Sequence, residues 1–99
     1  MNTTTNPSLD QLKDEYTKLD TKRKKYAETH STNGLNDEER TYVNLCIQSL
    51  EAYREYKKAE LSDFEFNRYH APVINSQIQR LKERLNTIKR FIKLRGETS

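Results

Sequence analysis

Few residues of this 99-residue chain are of the types that do chemistry, since it holds one cysteine and two histidines. Cys46 lies one helical turn from Tyr42 and Leu50, with no lysine or histidine near it in sequence that would lower the thiol pKa. His30 and His70 do not stand at metal-ligand spacing, and the sequence holds no HExxH or CxxC motif. A packed thiol and surface or capping histidines are therefore favoured over a nucleophile and metal ligands.

The run Asp37, Glu38 and Glu39 could be imagined as a metal or acid–base cluster. Consecutive residues of a helix point in different directions, however, and all three carboxylates favour the positive end of a helix dipole. With only two glycines, the chain also lacks a glycine-rich loop that would cradle a phosphate. The sequence therefore predicts a protein that is not an enzyme and that uses no metal and no cofactor.

The strongest structural signal is an apolar seam near the C-terminus. Its residues alternate at spacings of four and three: Ile74, Ile78, Leu81, Leu85, Ile88 and Ile92. This is the pattern of a helix whose apolar side lies against another helix. It predicts a helix over residues 71–94.

A second seam runs through the N-terminal third of the chain, directly after Ser8, a residue typical of a helix start. Its members are Leu9, Leu12, Tyr16, Leu19, Arg23, Tyr26 and His30. The seam predicts a helix over residues 9–30 that packs firmly through Leu19 and more loosely beyond it. Arg23 occupies a position that favours an apolar group, so it is either held for a partner protein or pairs with Glu51 or Glu55.

The middle helix is predicted to begin after Asn36, which with Glu39 forms an asparagine-led relative of the capping box. The helix spans residues 37–60, and the Asn33-Gly34 pair before it is interpreted as a turn. Its apolar stripe is wide, with Val43, Cys46, Ile47, Leu50 and Tyr53 flanked by Tyr42, Leu45, Tyr56 and Ala59. Such a stripe is typical of a central helix that contacts two neighbours.

The connection to the third helix carries another capping signature, formed by Ser62 and Glu65. It predicts a short helical turn over residues 63–69. Pro72 cannot donate a backbone hydrogen bond, so it either opens the third helix or kinks a helix that began earlier. Gly96 is expected to end the third helix.

Composition limits the size of the core, because Leu, Ile, Val and Phe make up only 20 of the 99 residues. We predict an all-α fold: an antiparallel three-helix bundle, or an elongated coiled-coil-like helical hairpin, that self-associates to bury more surface. One helical domain spans residues 9–95. A disordered tail over residues 1–8 and a C-terminal tail over residues 96–99 flank it.

The sequence shows no signal peptide and no apolar run long enough to span a membrane, and a lone cysteine cannot form an internal disulfide. We therefore expect an intracellular, reducing setting, cytoplasmic or, in a eukaryote, nuclear, and no membrane contact.

Aromatic residues suggest a contact surface. Tyr16, Tyr26 and Tyr53 stand at core spacings, so we expect buried rings there. The aromatic residues that fit the core pattern less well are candidates for an exposed partner-binding patch: Tyr42, Tyr56, Phe64, Phe66 and Tyr69. The first functional hypothesis is therefore a helical protein–protein interaction module, such as an adaptor, an assembly subunit or an inhibitor, that binds a protein partner or itself.

Basic charge is uneven in a chain whose net charge is +3. From Asn75 onward, seven basic residues face two acidic ones. The alternative hypothesis is a nucleic-acid-associated regulator that binds the phosphate backbone. Its candidate residues are Lys22, Lys24, Lys25, Arg80, Arg84, Arg90, Lys93 and Arg95. A solvated helix exterior is the simpler interpretation of the same charges.

Overall fold

The computed structural model describes residues 8–98, and no strand occurs among them. The elements follow in the order α1 (Leu9–Thr29), α2 (Asp37–Glu60), a short α3 (Asp63–Glu65), a π-helical turn (Phe66–His70) and α4 (Ala71–Thr98). The molecule is elongated, with principal extents of 54 × 29 × 29 Å. The prediction of an all-α bundle is confirmed, whereas the tail predicted over residues 1–8 lies outside the described residues except for Ser8.

Local capping sets where α1 begins. The Ser8 hydroxyl accepts a hydrogen bond from the Gln11 backbone N–H (3.1 Å), and the Gln11 side chain accepts one from the Ser8 N–H (2.8 Å). Two donors that a helix start leaves without intrahelical partners are thereby satisfied. The helix ends at Thr29, because His30 is extended.

The turn before α2 depends on a single left-handed residue. Leu35 has a φ of 52°, a conformation that is uncommon for a side chain other than glycine. Its N–H donates to the Glu39 carboxylate at 2.8 Å, and its carbonyl accepts from Arg95 of α4. A Cβ at Gly34 would lie 2.6 Å from the Asn36 side-chain nitrogen, so a larger residue at this position would require the Asn36 side chain to shift.

Asn36 caps α2 as predicted, accepting a hydrogen bond from the Glu39 N–H at 3.0 Å. In the predicted capping box, the Glu39 side chain would accept a hydrogen bond from the Asn36 N–H, and this second bond is not the one that forms. The Glu39 side chain bonds the N–H of Leu35, one residue before the cap, because the turn brings that donor over the start of the helix.

The hydrophobic core lies between α2 and α4. It consists of Val43 and Ile47 from α2 with Ile74, Ile78 and Ile88 from α4, and Ile88 is completely buried. Partly buried residues extend it along both helices: Leu35, Leu50, Tyr53, Leu81, Leu85 and Ile92. The predicted seam of α4 therefore faces α2.

Helix α1 packs on another side of α2 and contributes no residue to that core. The Ser49 hydroxyl of α2 donates to Asp20 of α1 at 3.4 Å, and the rings of Tyr16 and Tyr53 lie 4.9 Å apart. The predicted central position of α2 is confirmed. Helix α1 packs along α2 through half-buried residues, among them Leu12, Tyr16 and Leu19, and none of its residues is buried.

The segment from Asp63 to Thr98 is one continuous helical run with a π-helical turn inside it. The Ala71 N–H donates to the Phe66 carbonyl, five residues back. Proline disrupts a regular α-helix because it lacks an N–H and its ring collides with the carbonyl four residues earlier. The wider π turn directly before Pro72 accommodates this local change in spacing.

The expected helix end at Gly96 is wrong, and so is the predicted boundary at residue 94. The backbone of α4 remains helical to Thr98. Glycine ends a helix efficiently when it adopts a positive φ, and no glycine among the described residues does so. A glycine inside a helix costs only about 1 kcal/mol relative to alanine, so the helix passes through it.

Candidate functional site

A concave surface lies between α1 and α4 and forms a groove whose floor is α2. Its volume is about 520 Å³. Three residues come from α1, four from α2 and three from α4: Tyr16, Asp20 and Arg23; Cys46, Ser49, Leu50 and Tyr53; Gln77, Arg80 and Leu81. We call this set the three-helix groove. The groove exists because α1 and α4 both pack on α2 and make few contacts with each other.

Polar groups on the α1 side of the groove form a closed network around Asp20. The carboxylate accepts two hydrogen bonds from Arg23 (3.0 and 2.7 Å) and one from Ser49, and it pairs with Lys24 at 3.2 Å. Burial raises the pKa of Asp20, but these hydrogen bonds and the two cationic charges outweigh it and hold the pKa below its ordinary value. Asp20 is therefore ionised and fully occupied.

The structure shows what Arg23, a charged residue on the apolar seam of α1, pairs with. Its guanidinium pairs with Asp20 of its own helix and donates a long hydrogen bond of 3.5 Å to the Tyr42 hydroxyl. Its ion pair is thus formed within α1, and not with Glu51 or Glu55, which was one of the two alternatives.

Cys46 lines the groove beside this network. Burial is the largest influence on the thiol and raises its pKa, although Tyr42 and Arg23 act in the opposite direction. The cysteine is consequently a neutral thiol at physiological pH rather than an activated thiolate.

A second surface lies at the corner where α3 and the π-helical turn lead into α4. Phe64, Tyr69 and Val73 are 68%, 61% and 57% exposed. Phe64 and Arg68 line one shallow depression, and the Arg68 guanidinium lies 5.7 Å from the centre of the Tyr69 ring. Val73 follows Tyr69 by four residues, one helical turn on. We call Phe64, Arg68, Tyr69 and Val73 the corner patch.

The structure divides the five aromatic residues predicted to form a patch. Phe64 and Tyr69 are exposed together at the corner, but Phe66 is only 6% exposed, so its predicted place on a surface is wrong. Two residues along a helix turn a side chain by about 200°, which carries Phe66 to the inner side. Tyr42 and Tyr56 lie elsewhere, partly buried: Tyr42 beside Arg23, and Tyr56 stacked on Tyr16 with 6.4 Å between ring centres.

Three of the eight basic residues proposed for nucleic acid already hold partners within the protein. Arg84 makes a bidentate pair with Glu39, with its Nε 2.6 Å and a terminal nitrogen 3.1 Å from the carboxylate. Arg95 donates to the Leu35 carbonyl, and Lys24 pairs with Asp20. The other five are exposed or partly so, without an ion pair in the described part of the chain: Lys22, Lys25, Arg80, Arg90 and Lys93.

The Glu39–Arg84 pair is the feature that sequence reasoning missed. Glu39 was predicted to act at the helix start and Arg84 to bind phosphate, but Glu39 is 3% exposed and its carboxylate receives Arg84 and the Leu35 N–H. In antiparallel helices the start of α2 lies opposite the later part of α4. That arrangement is the one signal from which a contact between Glu39 and Arg84 could have been predicted.

Among residues 8–98, no group of three His, Cys, Asp or Glu side chains is arranged to hold a metal ion. Within the same range, no helix has the length and apolar character needed to cross a membrane. Comparisons of the chain with protein-family models, with curated proteins and with solved structures find no match.

Proposed function

We propose that the protein is a non-enzymatic helical interaction module and that the corner patch is its contact surface. The observation that carries this proposal is that Phe64, Tyr69 and Val73, which belong to one short segment at the corner, are each more than half exposed. Large apolar side chains grouped on a surface lower the free energy when a partner covers them. Aromatic residues and arginine, which make up most of the patch, are the types that dominate binding energy at protein interfaces.

The occupant for which the patch itself argues is a second copy of the chain. Asp63 and Arg68 line the same depression, and neither forms an ion pair within residues 8–98. In a twofold dimer, each surface contacts its own equivalent, so Arg68 of one copy can pair with Asp63 of the other. The small core gives a further reason, because association buries apolar area that one chain leaves exposed.

Sedimentation equilibrium over a concentration series tests this proposal. We expect a weak dimer, with a dissociation constant of about 10–100 µM because the patch is smaller than a standard interface. The double variant Phe64→Ser/Tyr69→Ser should raise that constant at least tenfold, since each ring is worth about 1 kcal/mol or more. A wild-type protein that stays monomeric up to about 1 mM would overturn self-association.

Leu94→Ser is the matched control, because Leu94 is a half-exposed apolar residue near the other end of α4. It removes exposed apolar surface, from one side chain rather than two, without touching the corner patch. Dimerisation weakened equally by Leu94→Ser would show that association follows general surface hydrophobicity and would contradict the proposed surface.

A second candidate function, binding of a nucleic-acid backbone, is favoured by one specific observation. Lys82, Lys89 and Lys93 are exposed and have no ion pair in the described part of α4. Their spacings of seven and four residues place them on one side of the helix. Fluorescence anisotropy with labelled duplex and single-stranded oligonucleotides, measured across a salt series, is the appropriate experiment. Reversal of all three to glutamate should remove binding and flatten the salt dependence.

A variant with the same change in net charge provides the control: Lys13→Glu/Lys18→Glu/Lys58→Glu, at exposed positions on α1 and α2. If both triple variants lose affinity equally, Lys82, Lys89 and Lys93 do not form a nucleic-acid-binding surface of their own. Arg84→Glu is unsuitable as a probe, because it would place a second carboxylate against buried Glu39.

A further inference from the structure

We propose that the three-helix groove binds a small amphiphilic ligand that has an apolar, aromatic-sized body and one anionic group, with Arg80 holding the anion. This inference is independent of the corner patch, which lies on other residues. It rests on the size of the groove, on the side chains that line it and on which of its charges are already occupied.

The size of the groove suits a small molecule. Binding sites for ligands of drug size have volumes of roughly 300–1,000 Å³, and the groove measures about 520 Å³. It is open along one side, so a ligand can enter without unfolding the protein. The volume excludes a large cofactor but accommodates two or three fused or linked rings.

The lining of the groove combines an apolar floor with polar groups at its edges. Leu50 and Leu81 provide aliphatic surface, and the tilted pair of Tyr16 and Tyr53 provides ring faces. Apolar lining with a few converging polar groups is the usual character of a ligand pocket. A planar apolar body would cover carbon surface that water now contacts.

Charge determines which polar group the ligand should carry. A cation would need Asp20, but that carboxylate already receives Arg23, Lys24 and Ser49. Arg80 lies on the α4 side of the groove and makes no ion pair or hydrogen bond within residues 8–98. A guanidinium can bind a carboxylate or a sulfonate through two parallel hydrogen bonds. The groove therefore favours an anion at the Arg80 edge.

Two probes of nearly the same shape test the proposal. Anilinonaphthalene sulfonate carries the anionic group, and phenylnaphthylamine is its neutral counterpart. We expect the sulfonate to bind with fluorescence enhancement and the neutral probe to bind at least tenfold more weakly. Arg80→Gln should weaken sulfonate binding about tenfold, whereas Arg90→Gln, at an exposed position of α4 outside the groove lining, should leave it unchanged.

Cys46 locates the bound probe, because it is the only cysteine of the chain and lines the groove. Saturating sulfonate should slow alkylation of Cys46 by N-ethylmaleimide at least fivefold in the wild-type protein. Unprotected Cys46 together with bound probe would overturn the proposal. Equal binding of the two probes, or an unaltered affinity in Arg80→Gln, would overturn the anionic subsite.

The corner patch also exposes rings that a fluorescent probe can contact, so Phe64→Ser/Tyr69→Ser is included. Retained sulfonate binding and Cys46 protection in this variant support the groove. Loss of both would assign the probe to the patch and refute the groove as its site. Because this variant also removes the proposed dimer contact, a failure of the groove and a failure of the interaction surface give different results.

Discussion

Replacing Ile78 by aspartate is expected to abolish the cooperative unfolding of the protein. Ile78 is 4% exposed and belongs to the cluster of buried apolar residues between α2 and α4. Removing a large aliphatic side chain from such a position costs about 2–5 kcal/mol, and a buried unpaired carboxylate adds several more. Since small domains are stable by about 5–15 kcal/mol, the loss approaches the total.

Urea unfolding followed by far-ultraviolet circular dichroism measures this effect. Ile78→Val should cost only about 1 kcal/mol and keep a sharp transition. Ser76→Asp, which places the same carboxylate at an exposed position of α4 one helical turn before Arg80, should change stability by less than about 0.5 kcal/mol. A loss of less than about 1 kcal/mol for Ile78→Asp would show that the seam is not the core.

Arg84→Ala is expected to destabilise the protein by about 2–3 kcal/mol, far more than other exposed arginines. The variant leaves the Glu39 carboxylate buried with the Leu35 N–H as its remaining donor. Breaking one side of a buried pair is costly because the other charge remains desolvated. Because the Arg84 side chain is 42% exposed, we place the expected loss of stability below the roughly 3–5 kcal/mol that breaking a fully buried ion pair costs. Arg90→Ala, outside any described ion pair, should cost less than about 0.5 kcal/mol.

The dependence of this loss on pH identifies its cause. Burial raises the pKa of Glu39, but the hydrogen bonds from Arg84 and Leu35, with the charge of Arg84, outweigh it and lower the pKa below its ordinary value. The group therefore adds stability above the ordinary glutamate pKa of about 4.3 and loses it as the pH falls through the lowered value. The stability difference between wild type and Arg84→Ala should shrink in that acidic range. A difference that is constant with pH would exclude the ion pair as its source.

Periodicity and capping allowed much of the fold to be predicted. The alternation from Ile74 to Ile92 identifies the apolar side of α4, and Ser8 and Asn36 identify where α1 and α2 begin. These signals are local, and each is carried by a few residues close in sequence. The prediction that Gly96 ends α4 failed because glycine stops a helix efficiently when its backbone adopts the left-handed conformation. The sequence does not show whether a given glycine adopts it, and here none does.

The candidate sites were less predictable because they depend on relations between helices. A seam shows which side of a helix is apolar but not which neighbour covers it. An ion pair of Arg23 with a glutamate of α2 was therefore as plausible from the sequence as the pair with Asp20 that the structure contains. The position of Val73 around the helix relative to Phe64 depends on the π-helical turn between them, whose extra residue shifts every later side chain around the axis. The groove requires three helices at once, and no segment of sequence carries that arrangement.

The three helices that form the groove are held in place by different contacts. Two of them, α2 and α4, share the buried isoleucine core, and the third, α1, contributes no fully buried residue. It is held by half-buried rings and by the network around Asp20. Displacing α1 breaks no contact within the isoleucine core, whereas separating α2 from α4 exposes that core. We therefore expect the α1 wall to yield more readily than the α4 wall when guests of different thickness enter, while the floor keeps its shape.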